Sequence, residues 1–204
     1  MPKRLKPMAV LFSIAEEQQG YFTTRQASDA GYRFGSQAYH IKVGNWARVA
    51  RGVYRLVRFP QSDEEQLVVY SLWSRNRAGA PEGVYSHQTA LSIHGLSDIN
   101  PAKLHMIVPL TFRRSAQLPK ILALHYFTLE GKDVEQRPGF RVTRPLRTII
   151  DLVVAEQVSR DTIIQALTEG RNRGLISGCE IIDWRRRGQH VPSWFVKILT
   201  RKGK

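Results

Sequence analysis

Arg33, Ser36, Gln37 and His40 fall within eight residues. Spacings of three and four bring side chains to one side of a helix. There a guanidinium can fork onto guanine and a carboxamide onto adenine, while hydroxyl and imidazole are less selective. Tyr39 and Lys42, at the flanks of the same stretch, suit backbone phosphate. Arg48, Arg51 and Arg55 follow and suit phosphate or minor-groove contacts. Thr24 and Arg25, just upstream, suit a phosphate held by the free amides of a helical first turn. This chemistry is recognition of double-stranded DNA, and no bond need be made or broken.

The elements that must position these groups are legible in the segment GYFTTRQASDAGYRFGSQAYHIKVGNWARVARGVYRL, Gly20 to Leu56. Thr23 or Thr24 can cap a short helix running to about Ala30, because a hydroxyl oxygen satisfies free amides of the first turn. Gly31 then ends it. The pattern predicts a second helix from about Phe34 to Val43, closed by Gly44, with Phe34, Ala38 and Ile41 packed on the first helix. Two β-rich runs, Ala47–Ala50 and Val53–Val57, flank a tight turn at Arg51-Gly52. A helix pair followed by a basic hairpin is the layout of a winged helix-turn-helix, which lays its second helix in the major groove.

Charge is distributed to match. Of the net +14, residues 1–59 contribute ten Lys/Arg against three Asp/Glu, and residues 184–204 contribute seven against none. The stretch between is neutral, so the excess marks two ends as polyanion contacts rather than a uniformly solubilising surface. The expected domains are a DNA-binding domain at 1–59, a body at 60–184 and a basic C-terminal extension at 185–204. In that extension Trp194, Phe195, Ile198 and Leu199 recur at helical spacing, with Lys197 and Arg201 on another side. An amphipathic helix packed on the body accounts for this pattern.

The body reads as α+β. Ser62-Asp63-Glu64-Glu65 opens a helix into Leu67–Ser74, and Ser86 precedes another, HQTALSIHGL, ended by Gly95. Strands are predicted at Leu104–Val108, Leu122–Phe127 and near Phe140–Thr143. Helices are predicted from Pro145 and over Asp161–Arg173. The fold class is thus an N-terminal winged helix-turn-helix followed by a mixed α+β domain with a small sheet and C-terminal helices. Asp151 lies among apolar neighbours, and a buried carboxylate must be paired; Arg147, one turn earlier, is the expected partner.

Catalytic patterns are weak. His87, His94, His105 and His125 invite a metal reading, yet His87 and His94, seven residues apart, are two helical turns from each other and too far for a single ion unless the chain bends. Packed or capping histidines are expected instead, with no metal and no cofactor. Glu130-Gly131-Lys132 with Asp98 upstream has the residue types of a magnesium-dependent nuclease, but the glycine implies a turn. The lone Cys179 excludes an internal disulfide, and its neighbours predict a buried or half-buried thiol. The opening run MPKRLKPMAVLFSIAEEQQG lacks a cleavage site and reads as an amphipathic helix with Val10, Leu11, Ile14 and Ala15 inward, not as a signal peptide. No run of about 20 apolar residues spans a membrane. The expected compartment is the cytoplasm.

The hairpin segment RGVYRL, the stretch YSHQTALSIHGL, the strand-like LHMIVP and the closing TRPLRTIIDLV, in that order and spacing, resemble the AbiEi antitoxins. The resemblance covers roughly Leu11 to Trp184 and leaves the basic extension outside it. It implies a transcriptional regulator, not an enzyme, from a bacterial toxin–antitoxin pair. Such a regulator represses its own operon through a winged-helix domain and neutralises a nucleotidyltransferase-like toxin through its second domain. Two alternatives stand beside it: a winged-helix repressor whose body binds a ligand or dimerises, and a metal-dependent nuclease. The sequence assigns no oligomeric state.

Overall fold

The computed structural model describes residues 6–115, 117–188 and 191–200; Arg201, expected on the last helix, lies outside them. The chain divides into two compact units. The first comprises Met1–Gly83, Phe112–Ser115 and Gln136–Arg141, and the second Val84–Thr111, Ala116–Glu135 and Val142–Lys204. The boundary expected after residue 59 therefore falls inside the first unit.

In the first unit the order is α1 (Pro7–Glu16), β1 (Tyr21–Thr23), α2 (Thr24–Asp29), α3 (Gln37–Lys42), β2 (Trp46–Ala50), β3 (Val53–Leu56) and α4 (Glu65–Trp73). The strands form an antiparallel sheet in the order β1-β3-β2, with Tyr21 opposite Arg55 and Trp46 opposite Leu56. This order and pairing are consistent with a winged helix-turn-helix. Leu11, Ala15, Phe22, Ala27, Trp46 and Tyr54 make its core, and the Phe22 ring meets Trp46 edge-on at 4.9 Å. Strand β1 was not foreseen: three residues buried throughout show no alternation to read.

Thr23 is the cap of α2. Its hydroxyl accepts from the Gln26 amide while the Gln26 side chain accepts from the Thr23 amide. This reciprocal box satisfies two donors that the short helix would otherwise leave open. Thr23→Ala should destabilise the protein by about 1 kcal/mol, and Thr23→Ser by much less. Urea denaturation of both variants checks this.

Helix α3 departs from expectation in extent and in facing. Gly35 takes a left-handed conformation (φ 90°), which interrupts the helical path, so α3 starts at Gln37 with Ser36 as its cap. Phe34 is thereby left 90% exposed, and Ala38 and Ile41 are exposed as well. The inward place is taken by His40, whose ring stacks on Trp46 at 4.4 Å and meets Tyr32 edge-on at 5.1 Å. A flat aromatic wall accepts an imidazole well, and the expected Phe34–Ala38–Ile41 packing face is overturned.

The second unit contains β4 (Val84–Tyr85), α5 (His87–Ile93), β5 (Leu104–Val108), β6 (Leu122–Tyr126), α6 (Pro145–Ala155), α7 (Arg160–Asn172), α8 (Gly178–Arg186) and α9 (Ser193–Thr200). β7 (Val134–Arg137) and β8 (Phe140–Thr143) lie partly in each unit, and the five-stranded sheet has the order β6-β5-β4-β8-β7. The sheet is mixed: β5 runs antiparallel to β4, while β5–β6 and β4–β8 are parallel pairs. Mixed α+β architecture with small sheets and C-terminal helices is thus observed, with β4 and β7 added to the three expected strands. Leu91, Ile149, Leu152, Leu167, Trp184, Phe195 and Leu199 share one core. Helix α8 runs through the expected boundary at Trp184, and α9 buries Phe195 and Leu199, so this part of the basic segment is packed structure. No helix of the described residues is long and apolar enough to cross a membrane.

Candidate nucleic-acid interface

Between Ala30 and Ser62 the sequence holds six Lys/Arg and no Asp/Glu. The fold exposes five of those cations. Arg33 lies in the turn before α3, Lys42 in its last turn, Arg48 on β2, Arg51 in the hairpin turn and Arg58 just beyond β3. No carboxylate within the segment opposes them, so the segment presents an uncompensated positive potential. Tyr39 is exposed beside them, and Gln37 is half-buried at the start of α3. Ser36, also half-buried, has a hydroxyl oxygen that is enclosed and makes no hydrogen bond.

The other expected contact residues are engaged within the unit. His40 packs on Trp46, and Asn45 Nδ2 approaches its Nδ1 at 3.4 Å. Arg55, on the central strand, donates to the Phe59 carbonyl at 2.8 Å. Arg25 donates to the Arg77 carbonyl at 2.6 Å and lies 3.8 Å from Asp29. The Thr24 amide donates to the Gly52 carbonyl at 3.1 Å, and the Gln26 amide is taken by the Thr23 cap. Two first-turn amides of α2 are therefore already used. The Thr24–Gly52 bond ties the hairpin tip to α2 and fixes where Arg51 projects. Gly52 needs its glycine: its φ is 72°, and a Cβ there would meet the Arg75 guanidinium at 3.0 Å.

Burial, with the neighbouring Glu65 carboxylate adding to it, pushes the Tyr21 hydroxyl up to about 12, opposed by Arg55. Sequence reasoning missed Arg58 and the outward apolar groups of α3. The lack of any acid from Ala30 to Ser62 was a signal for the first, and Gly35 for the second.

In the second unit three of the four candidate histidines, His87, His105 and His125, come together. The His87 and His125 rings stack at 3.8 Å, and His105 Nδ1 lies 3.0 Å from His125 Nε2. Burial, then the neighbouring His125, His105 and Arg147, pulls His87 down to about 3, so it is neutral at physiological pH. Stacked rings hold their nitrogens side by side rather than aimed at one point. Among the described residues no group of three His, Cys, Asp or Glu side chains is placed to hold a metal ion. His94 is separate and bonds the Thr143 carbonyl through Nε2 at 2.8 Å. Of the nuclease-like set, Glu130 pairs with Lys132 at 3.4 Å, and Asp98 lies exposed in a loop.

The expected Arg147–Asp151 pair is present at 2.8 Å and buried. It belongs to a longer chain of charges. Arg147 also reaches Asp133 at 3.2 Å, Arg187 reaches Asp133 at 2.7 Å and Asp183 at 3.2 Å, and Lys132 reaches Asp183 at 3.0 Å. All of these groups but Asp151 line a cleft of about 350 Å³ together with Arg144, Glu180, Trp184 and Cys179. Cys179 is exposed there, contrary to the buried or half-buried thiol expected, because it sits on the solvent side of the first turn of α8.

No curated protein matches the chain. The crystal structure of the RV2827C protein from Mycobacterium tuberculosis aligns with a TM-score of 0.44 and 13% identity, over 78% of this chain and 70% of that one. Residues 10–57, the stretch that runs from α1 to the end of the basic hairpin, match the family model of the transcriptional regulator AbiEi antitoxins.

Proposed function

We propose that this chain is a DNA-binding transcriptional autoregulator and antitoxin that represses its own operon and neutralises a nucleotidyltransferase-like toxin. The carrying observation is the coincidence of two findings. The AbiEi-matching residues 10–57 include the ones that display Arg33, Lys42, Arg48 and Arg51 in a stretch, Ala30 to Ser62, that contains no acid. In this reading those four cations, with Arg58 and Tyr39, neutralise phosphates and the exposed side of α3 meets the base edges, with Ser36 and Gln37 half-buried at its start. Thr24, Arg25, His40 and Arg55 hold the reading surface in place rather than touch DNA. The second unit carries the toxin contact, and catalysis has no part in the mechanism.

The full chain should bind duplex DNA from immediately upstream of its own coding sequence, with affinity falling steeply as salt rises, as counterion release requires. Co-expression should also restore growth of cells producing a nucleotidyltransferase-like protein encoded beside it. Binding indifferent to salt would overturn the regulator reading. Absence of growth rescue, with DNA binding intact, would overturn the antitoxin reading and leave a repressor.

A further inference from the structure

We infer that α3 recognises its DNA site by apolar contact of Ala38 and Ile41 with thymine C5-methyl groups in the major groove. This rests on the DNA-binding reading above and names what that surface selects. His40 is fixed inward on Trp46. At roughly 100° per residue, the side opposite His40 carries Ala38 and Lys42, with Tyr39 and Ile41 at its flanks. All four are exposed, and α3 buries no residue at all.

The outward surface of this short helix is therefore a methyl group, a branched aliphatic chain, a phenol and an ammonium. Gln37, the side chain best suited to a two-point hydrogen bond with adenine, is half-buried on the His40 side. Folding leaves the aliphatic groups uncovered, and Phe34 in the preceding turn is uncovered too. An apolar surface of this kind marks a contact.

Charge decides what covers it. The flanking segment has six cations and no acid, which suits a polyanion and opposes a second copy of the same positive surface. At the base edges of the major groove, the apolar group that duplex DNA offers is the thymine methyl. Lys42 and Arg33, beside the stripe, are placed to hold the adjoining phosphates.

Uracil keeps the hydrogen-bonding edge of thymine and lacks the methyl, so it isolates the contact. The full-length protein is used to enrich a duplex from a random library, and that duplex is then made with thymine and with uracil. The expected result is weaker binding of the uracil duplex, by about fourfold for each methyl buried. Ile41→Ser, at an exposed position, should bind the thymine duplex more weakly and discriminate less between the two. Equal affinity for both duplexes overturns the inference while leaving DNA binding intact. If Ile41→Ser then also lowers the molecular mass in solution, the stripe belongs to a second copy of the chain. Failure to enrich any duplex overturns the DNA-binding reading and this inference with it.

Discussion

Replacing Arg33, Lys42, Arg48 and Arg51 together by alanine should abolish most of the salt dependence of DNA binding. Each phosphate neutralised contributes about 0.9 to the slope of log affinity against log salt. Four contacts therefore correspond to a slope of about 3.6, or about 150-fold in affinity between roughly 50 and 200 mM salt. The variant should lose that dependence and bind weakly at both concentrations. All four side chains are exposed and none has a carboxylate partner within the segment, so removal should leave the fold intact by circular dichroism. Arg25→Ala is the contrast. That guanidinium is spent on the Arg77 carbonyl and lies near Asp29, and its loss should move the slope little. Fluorescence anisotropy of the full chain at two salt concentrations reads both. A folded four-fold variant with the native slope would place the DNA contact on another surface.

The contrast between those cations bears on how far the sequence discloses the site. Cap and hairpin chemistry is local, so Thr23, Gly31 and Arg51-Gly52 were readable: each needs only its neighbours in the chain. The strand pattern of Leu104–Val108 was equally plain, and its partner β6 ends within a residue of expectation. The facing of α3 was not readable, because two inward solutions fit a 3.6-residue period. Tertiary packing chose His40 against Trp46 over Phe34, Ala38 and Ile41. Short buried strands such as β1 and β4 carry no alternation and were invisible for the same reason. Arg147–Asp151 was found because its partners lie one turn apart. Asp133 and Arg187 were missed because they approach Arg147 and each other across separations of 14 and 54 residues.

That charge chain carries the second large expected effect. Arg147→Ala should destabilise the protein by about 3–5 kcal/mol at pH 7, the range for removing one partner of a buried ion pair. Arg147 is almost wholly enclosed, bonds Asp151 and Asp133, and lies 4.8 Å over the Phe127 ring. Asp133 keeps Arg187 in the variant, whereas the Asp151 carboxylate loses its cation. Asp151 is already strained in charge: burial pushes its carboxyl up to about 6 against the pull of Arg147, since its second oxygen is enclosed with no partner. A carboxyl raised on folding binds more protons in the native state than in the unfolded one between about pH 4 and 6. Its contribution to stability accordingly falls as pH rises through that window and is level above it. Without Arg147 the carboxyl holds its proton to still higher pH, so the window extends upward. The deficit of Arg147→Ala relative to the native chain should thus be larger at pH 7 than at pH 5. Asp151→Asn, which cannot ionise, should remove the group's own pH dependence across the window. Urea midpoints of the native chain and both variants at the two pH values decide the matter. A deficit below about 1 kcal/mol, the scale of an exposed pair, or one equal at both pH values, would mean that the pair is solvated and holds nothing together.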